Sequence, residues 1–561
     1  MKNYTKKMKP LKEWPMENKI IKAFIFLFFL LTISINAQES LKSIEEDYYF
    51  FLSLQGFEPY PTLNYRTLSD STWSFKKQTE HIWQEQNLGT KHPLFNDFSI
   101  RIYGPELFAS YNTASPYGQN DGALWQGKGL NSSLTSGARF EGYGIELTFK
   151  PQLSFSQNLD FDLIQREMSG FNYTDKAEKY GYFWGTIDAP QRFGDNPFFT
   201  FDWGDSEIRY TWKTITIGFG TQAIWLGPSY LNSILHSNNA PTYPKFDIGI
   251  RKQPMTIPWI NWYIGDIEFR IWVGYLSESK YFDNDDSNDH NMFHGLSFAY
   301  APSFLPGLTL FINRVCIVPW EWENLKFIVP KKNNTTEDQK MSFGAYYLLP
   351  QASIEVYSEL GIDDFTVGGF EGYLRYPFHT MTYTIGLKKI INIVPKQKLY
   401  GEIIFEWNSM EMSQDFQFQW AYSPYSHGTI KQGYTNQGQW LGAGSGWGGN
   451  SQYLEFKLYY PKGTSSLLIQ RTNPDNNFLY SKAIEASASQ DNLERQYYTS
   501  WKSNFIIGIN TRYFVTKQIS IGGGFLYNLI INPYYYFNKT SEFEDKFMHN
   551  FSLQLIAKWN F

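Results

Sequence analysis

The last eleven residues, FSLQLIAKWNF at 551–561, decide the fold. Phe551, Leu553, Leu555, Ala557, Trp559 and Phe561 alternate with Ser552, Gln554, Ile556, Lys558 and Asn560. Residues two apart on a strand share a face. One face here is wholly apolar and closes on aromatic rings, while the other is mostly polar. A strand of a soluble sandwich can alternate in the same way. The terminal aromatic separates the two readings, because an amphipathic strand ending on Phe561 resembles the signal read by barrel-assembly machinery of the outer membrane.

The pattern recurs upstream. Ile267, Phe269, Ile271, Val273 and Tyr275 alternate with Asp266, Glu268, Arg270, Trp272 and Gly274. Ile403, Phe405 and Trp407 alternate with Glu402, Ile404 and Glu406, and Ile354 and Val356 with Ser353, Glu355, Tyr357 and Glu359. In a membrane barrel the apolar set meets lipid and the polar set lines the lumen. Asp266, Glu268, Arg270, Glu355, Glu359, Glu402 and Glu406 are therefore expected to face inward. There they either contact a hydroxyl-rich polymer or satisfy one another. Other strand-like stretches include Phe98–Asn112, Ala138–Phe155, Glu207–Thr221, Phe365–Arg375 and Gln518–Leu529. In lipid an open sheet edge leaves backbone groups unpaired, so the sheet must close. The chain is expected to be all-β: a transmembrane antiparallel β-barrel of about eighteen strands over residues 96–561, with short N-terminal helices.

Composition agrees with strands rather than helices as the spanning elements. Aromatics make up 19% of the chain, and such rings gather at membrane interfaces. Mean hydropathy is nevertheless −0.41, which alternation explains and a helical membrane protein does not. The net charge of −5 is well mixed, and no basic stripe is present to neutralise phosphates, so no nucleic-acid partner is expected. The single cysteine, Cys316, lies in the apolar run Val315–Val318 and reads as a small hydrophobe.

The N-terminus is read separately. Lysines between Lys2 and Lys22 precede the apolar run Ala23–Ile35, then Asn36-Ala37. A basic region, a short apolar core and a small residue are the parts of a secretory signal peptide, here residues 1–37 with cleavage near Ala37. Residues 38–95 are expected to form a helical, periplasmic segment. Leu41–Phe51 has helical character, and Ser71-Thr72-Trp73 with His81–Gln86 forms a second helical candidate. Such a segment caps the periplasmic mouth or enters the lumen.

Motifs of catalysis are missing from the sequence. None of the eight histidines sits in HExxH, and neither GxSxG nor a phosphate-binding GxxxxGK[ST] occurs. No cofactor is expected. The acidic loop 283–290 offers Asp283, Asp285 and Asp289 as weak metal ligands, without the glycine and final glutamate of an EF-hand. The glycine-rich run Gln432–Ser451 reads as a loop carrying Trp440 and Trp447, rings able to stack on sugars or to join an interface girdle.

Three segments resemble the Wzi family of capsule-assembly proteins. They are Arg66-Thr67-Leu68-Ser69-Asp70, the segment Pro116–Gly129 with its Asn120-Asp121-Gly122-x-x-Trp125-x-Gly127-Lys128-Gly129, and the block Trp225-Leu226-Gly227-Pro228 to Asn238-Asn239-Ala240-Pro241. The leader and the richness in Asn, Lys, Tyr and Phe look Bacteroidetes-like. The resemblance implies an outer-membrane barrel that binds, anchors or helps assemble capsular or other surface polysaccharide, lectin-like and non-catalytic. The partners implied are surface polysaccharide, outer-membrane lipid and, through Phe561, the assembly machinery. Trp225, Asn238, Asn239, Trp440 and Trp447 are candidates for glycan binding or for bracing loops, since amides both donate and accept. A porin or envelope-export component is the second reading, and an outer-membrane hydrolase the third. An open lumen favours transport, and a plugged one favours binding.

Overall fold

A computed structural model of the chain describes residues 43–67, 80–89, 91–95, 97–164, 174–326, 336–363, 370–375, 380–412, 424–487, 501–535 and 547–561. The expected signal peptide, Leu68–Asp70 and Ser71–Trp73 lie outside them.

Alternating side chains build one closed wall. Its strands are β1 Ser99–Asn112, β2 Gly129–Gly142, β3 in two pieces (Ile145–Phe149 and Gln152–Ser156), β4 in two pieces (Phe198–Asp202 and Glu207–Trp212), β5 Ile215–Gly220, β6 Lys245–Ile257, β7 Trp262–Ser277, β8 His290–Pro302 and β9 Leu308–Pro319. They continue with β10 Asp338–Leu349, β11 Ile354–Asp363, β12 Thr382–Val394, β13 Leu399–Ser409, β14 Asn450–Tyr460, β15 Gly463–Asn473, β16 Ser503–Phe514, β17 Ile519–Ile531 and β18 Phe547–Trp559. Each pairs antiparallel with its neighbours, and the sheet closes through Ser552↔Asn112 to Lys558↔Glu106. With the broken strands counted once each, the barrel has eighteen strands.

Burial follows the alternation. On β18, Phe551, Leu553, Leu555 and Trp559 are exposed, while Asn550, Ser552 and Lys558 are buried. An apolar face open to the outside all round the wall is the lipid-facing face of an outer-membrane barrel. No helix of the described residues is long and apolar enough to cross a membrane.

Three of the strand readings change. Ala138–Phe155 is not one strand, because Tyr143-Gly144, both at positive φ, turn the chain between β2 and β3. Glu207–Thr221 is likewise a hairpin, turning at Lys213. Within Phe365–Arg375 the described part, Phe370–Arg375, is helical, in the loop beyond the end of β11.

One end of the barrel has two- to five-residue turns, such as 143–144, 350–353 and 461–462; the other carries long loops. Short turns mark the periplasmic end and long loops the outside. Helix α1, Ile44–Leu54, sits at the periplasmic end. Ser43 caps it by accepting from the Glu46 N–H at 3.0 Å. Its Tyr48, Phe51, Leu52 and Leu54 pack with Ile390, Tyr459 and Phe514 from the wall. His81–Gln86 is a string of turns and not a helix: the Gln84 and Gln86 N–H groups donate to His81 and Trp83 carbonyls three residues back.

Candidate functional site

The inward glutamates hold a plug. Glu268, 2% exposed, accepts the backbone N–H groups of Leu63, Asn64 and Tyr65 at 2.7, 3.0 and 2.7 Å. The segment after α1 therefore runs inside the lumen, where Tyr65-Arg66 pairs as a short ladder with Trp225-Leu226. Arg270 stacks over the Tyr65 ring at 4.6 Å and pairs with Asp247 at 2.7 Å. Glu355 takes the Tyr60 hydroxyl at 2.6 Å and the Lys388 ammonium at 2.8 Å. Glu402 accepts the Tyr459 hydroxyl, and Asp266, nearer the rim, accepts that of Tyr263. On α1, Glu45 pairs with Lys558 at 2.8 Å and Asp47 with Lys457 at 2.7 Å. A charge-assisted bond contributes more than a neutral one, and here each also offsets the burial of a charge.

Two outward loops fold back into the lumen above this segment. Glu406 accepts the N–H groups of Tyr230, Leu231 and Asn232 at 2.6, 3.0 and 2.8 Å, with the Asn232 amide and the Tyr357 hydroxyl. Gly227 is at φ +82, and a Cβ there would lie 3.0 Å from a Glu359 oxygen, so Trp225-Leu226-Gly227-Pro228 needs its glycine. Trp225 is fully buried and donates to the Ser229 carbonyl. Asn238 donates to the Asn120 carbonyl. Asn239 donates to Ser237 Oγ and the Gly442 carbonyl and accepts the Asn120 N–H. The amides of both asparagines brace one loop against the next.

Above the plug lies an outward-facing vestibule of about 440 Å³. On one side stand Tyr117, Trp125, Tyr182, Trp440 and Trp447, and on the other the wall amides Gln470, Asn504 and Asn528. Trp440 is half-buried beside Tyr425, while Trp447, expected to be exposed, is 1% exposed and stacks on Trp184 at 4.4 Å. The loop tightens around it because Gly446 and Gly448 both adopt positive φ. Four of the lining residues carry a buried polar atom with no hydrogen-bond partner among the described residues: Ser115 Oγ, Asn120 Oδ1, Trp125 Nε1 and Asn528 Oδ1. Asn528 is only 6% exposed. Burial pushes the Asp121 carboxyl up to about 7, opposed by donors from Gln126 and the Gln119 backbone. Rings and amide side chains lining one cavity suit a ligand that is apolar on its ring faces and hydroxylated at its edge.

Of the candidates named from sequence, Asn239, Trp440 and Trp447 line the vestibule. Trp225 lies deeper, and Asn238 borders a small separate pocket. Tyr117, Trp125, Lys502 and Asn528 were not singled out. Trp125 had a signal, since it is the tryptophan of the Pro116–Gly129 segment.

The acidic loop also differs from expectation. Carboxylate oxygens of Glu278, Asp283 and Asp289 converge within 4.8 Å, whereas Asp285 turns away. Asp285 Oδ1 instead accepts the N–H and hydroxyl of Ser287, a local turn. Burial, then the charges of Asp188, Asp283, Asp289 and Asp285, push Glu278 up to about 10. A carboxyl whose folded pKa is raised binds its proton more tightly when folded, so stability falls as pH rises from about 4.5 towards 10. Glu278→Gln is expected to stabilise the barrel at pH 8 by roughly 1–2 kcal/mol and to lose that advantage by pH 4. Urea unfolding in detergent at the two pH values measures it, and an equal shift at both would contradict the electrostatic cause.

Residues 118–318 match the family model described as capsule assembly protein Wzi. A comparison with curated proteins gives no match. Among solved structures the chain is similar to Wzi of Escherichia coli, described as an outer-membrane protein involved in group 1 capsule assembly and a carbohydrate-binding β-barrel. Identity there is 13%, over 93% of this chain and 98% of that one, with a TM-score of 0.56. OprB of Pseudomonas putida is similar at 10% identity over 83% and 94% of the two chains, TM-score 0.35. OccAB2 of Acinetobacter baumannii is similar at 11% over 82% and 98%, TM-score 0.37.

Proposed function

We propose that this outer-membrane barrel, Wzi-type over residues 118–318, binds surface polysaccharide in its outward vestibule and so anchors or helps assemble a capsule or similar coat. The observation that carries the reading is a lumen filled by the chain's own N-terminal segment and loops beneath a cavity lined by aromatic rings and amide side chains. A porin needs a wet passage through the wall. Here Tyr65, Leu226, Trp272, Phe293, Tyr434 and Trp447 belong to one apolar cluster across the interior. The role is lectin-like, holding the glycan without cleaving it. His236, a histidine near the site, has its ring nitrogens engaged by the Ser237 carbonyl and the Tyr243 hydroxyl, a bracing arrangement. The matching partners are polysaccharide outside, lipid around the apolar face, and the assembly machinery at Phe561, whose ring stacks on Trp559 at 4.7 Å. The chain reaches the outer membrane through a signal peptide cleaved near Ala37.

Gene deletion is expected to release surface glycan into the medium, scored by capsule staining and by sugar assay of the supernatant. The purified barrel in planar bilayers is expected to show no steady ion conductance. Unchanged retention together with large open channels would replace this reading by the transport one.

A further inference from the structure

Closure of the wall falls on a single ladder, between the last strand and the first. β18 pairs with β1 from Ser552↔Asn112 to Lys558↔Glu106, seven rungs, and β1 runs on past the last of them as far as Ser99. On one edge this extension pairs with β2, from Ser99↔Glu141 to Tyr103↔Gly137. On the other edge it takes the short strand Lys91–Pro93, paired from Lys91↔Arg101 to Pro93↔Ser99. Lys91–Pro93 therefore lies on the edge of β1 that β18 uses, beyond the end of β18.

The N-terminal segment also grips the end of β18. The Lys558 ammonium lies 2.8 Å from Glu45 of α1 and 3.3 Å from Glu106 of β1, and all three side chains are buried. The buried Asn560 amide donates to Glu45 at 3.2 Å and to the Asn87 carbonyl at 2.8 Å. Asn87 donates its own N–H to the Lys517 carbonyl, in the turn between β16 and β17. Backbone rungs at the end of a ladder open readily. A buried ion pair resists separation, because each partner left alone is a buried charge without compensation.

We propose that the N-terminal segment is a clasp across the closing seam, tying the end of β18 to the start of β1 and setting how readily the barrel opens between them. Residues on α1, at Asn87 and at 91–93 act together in it, on strands far away in sequence.

Hydrogen exchange of the mature full chain in detergent, read by mass spectrometry, tests the clasp. Glu45→Ala is expected to speed exchange about tenfold in 106–112 and 552–558 and to leave the β7–β8 and β13–β14 ladders at the parental rate. Ala109→Cys with Leu555→Cys supplies a covalent substitute. These residues are direct cross-strand partners, a spacing a disulfide spans. Oxidised, this pair should return the seam of Glu45→Ala to the parental rate. Where Glu45→Ala does not assemble alone, the stapled form is assembled, then reduced before the measurement. Unchanged exchange at the seam overturns the clasp. Equally faster exchange in all the ladders also overturns it, since Glu45 then supports the whole wall. Failure of the stapled form to assemble has the same meaning.

Discussion

Glu406→Gln is expected to destabilise the barrel by about 3–5 kcal/mol and to lower glycan retention sharply, although residue 406 does not line the vestibule. The carboxylate is fully buried and accepts from three consecutive backbone N–H groups, one side-chain amide and one phenol. Glutamine fills the same volume but brings an NH₂ group into a cluster made of donors. At least one backbone N–H then loses its acceptor inside the lumen, which costs about 1–3 kcal/mol on its own. The effect reaches the site through Asn232, whose side-chain oxygen accepts the Gln119 amide, and through Leu231, whose carbonyl accepts the Asn120 amide. Gln119 and Asn120 line the vestibule. Urea midpoints and glycan binding should both fall, and limited proteolysis should cut within 224–243. A variant with parental stability and an intact loop would refute the bracing role.

The second large effect is expected at the rings. Trp125→Ala with Trp440→Ala should weaken glycan binding about a hundredfold, each ring contributing about tenfold. Both indoles are half-buried, so stacking area is available without opening the core. Trp447→Ala is the contrasting control. Its ring is packed on Trp184, and Gly185 lies close beneath it, so its removal should unfold the loop and lower stability before it reports on binding. Isothermal titration and thermal midpoints on the same preparations separate the two outcomes. Equal loss of stability in both variants would place Trp125 and Trp440 in the core.

The wall was legible in the sequence because alternation is a property of each strand alone. On β7, Glu268, Arg270 and Trp272 point inward by parity, and no knowledge of a neighbour is needed. Hairpin turns as short as Tyr143-Gly144 were not legible, since two residues preserve the alternation on both sides of the bend. The site was legible only in part. Trp440 and Asn239 stand in loops rich in glycine and amides, which draw attention by composition. Lys502 and Asn528 do not. One polar residue at or beside a strand looks the same whether it fills the lumen or meets a ligand, and only the register of β15, β16 and β17 brings them to one cavity. The acidic loop misled in the same way: Asp285 is as acidic as its neighbours, but its own turn captures it, and Glu278 arrives from the end of β7.

The inner segment of the plug takes no part in the wall's ladder. Residues 43–67 contribute no rung to the barrel, whereas the outer loops join wall strands on both sides. Withdrawal of that segment would release Glu45 from Lys558, Asp47 from Lys457, Tyr60 from Glu355, the backbone from Glu268 and the short ladder from Trp225-Leu226. The two faces of the barrel therefore differ in mechanical character. Towards the cell it carries a detachable stopper, and towards the environment a rigid bowl.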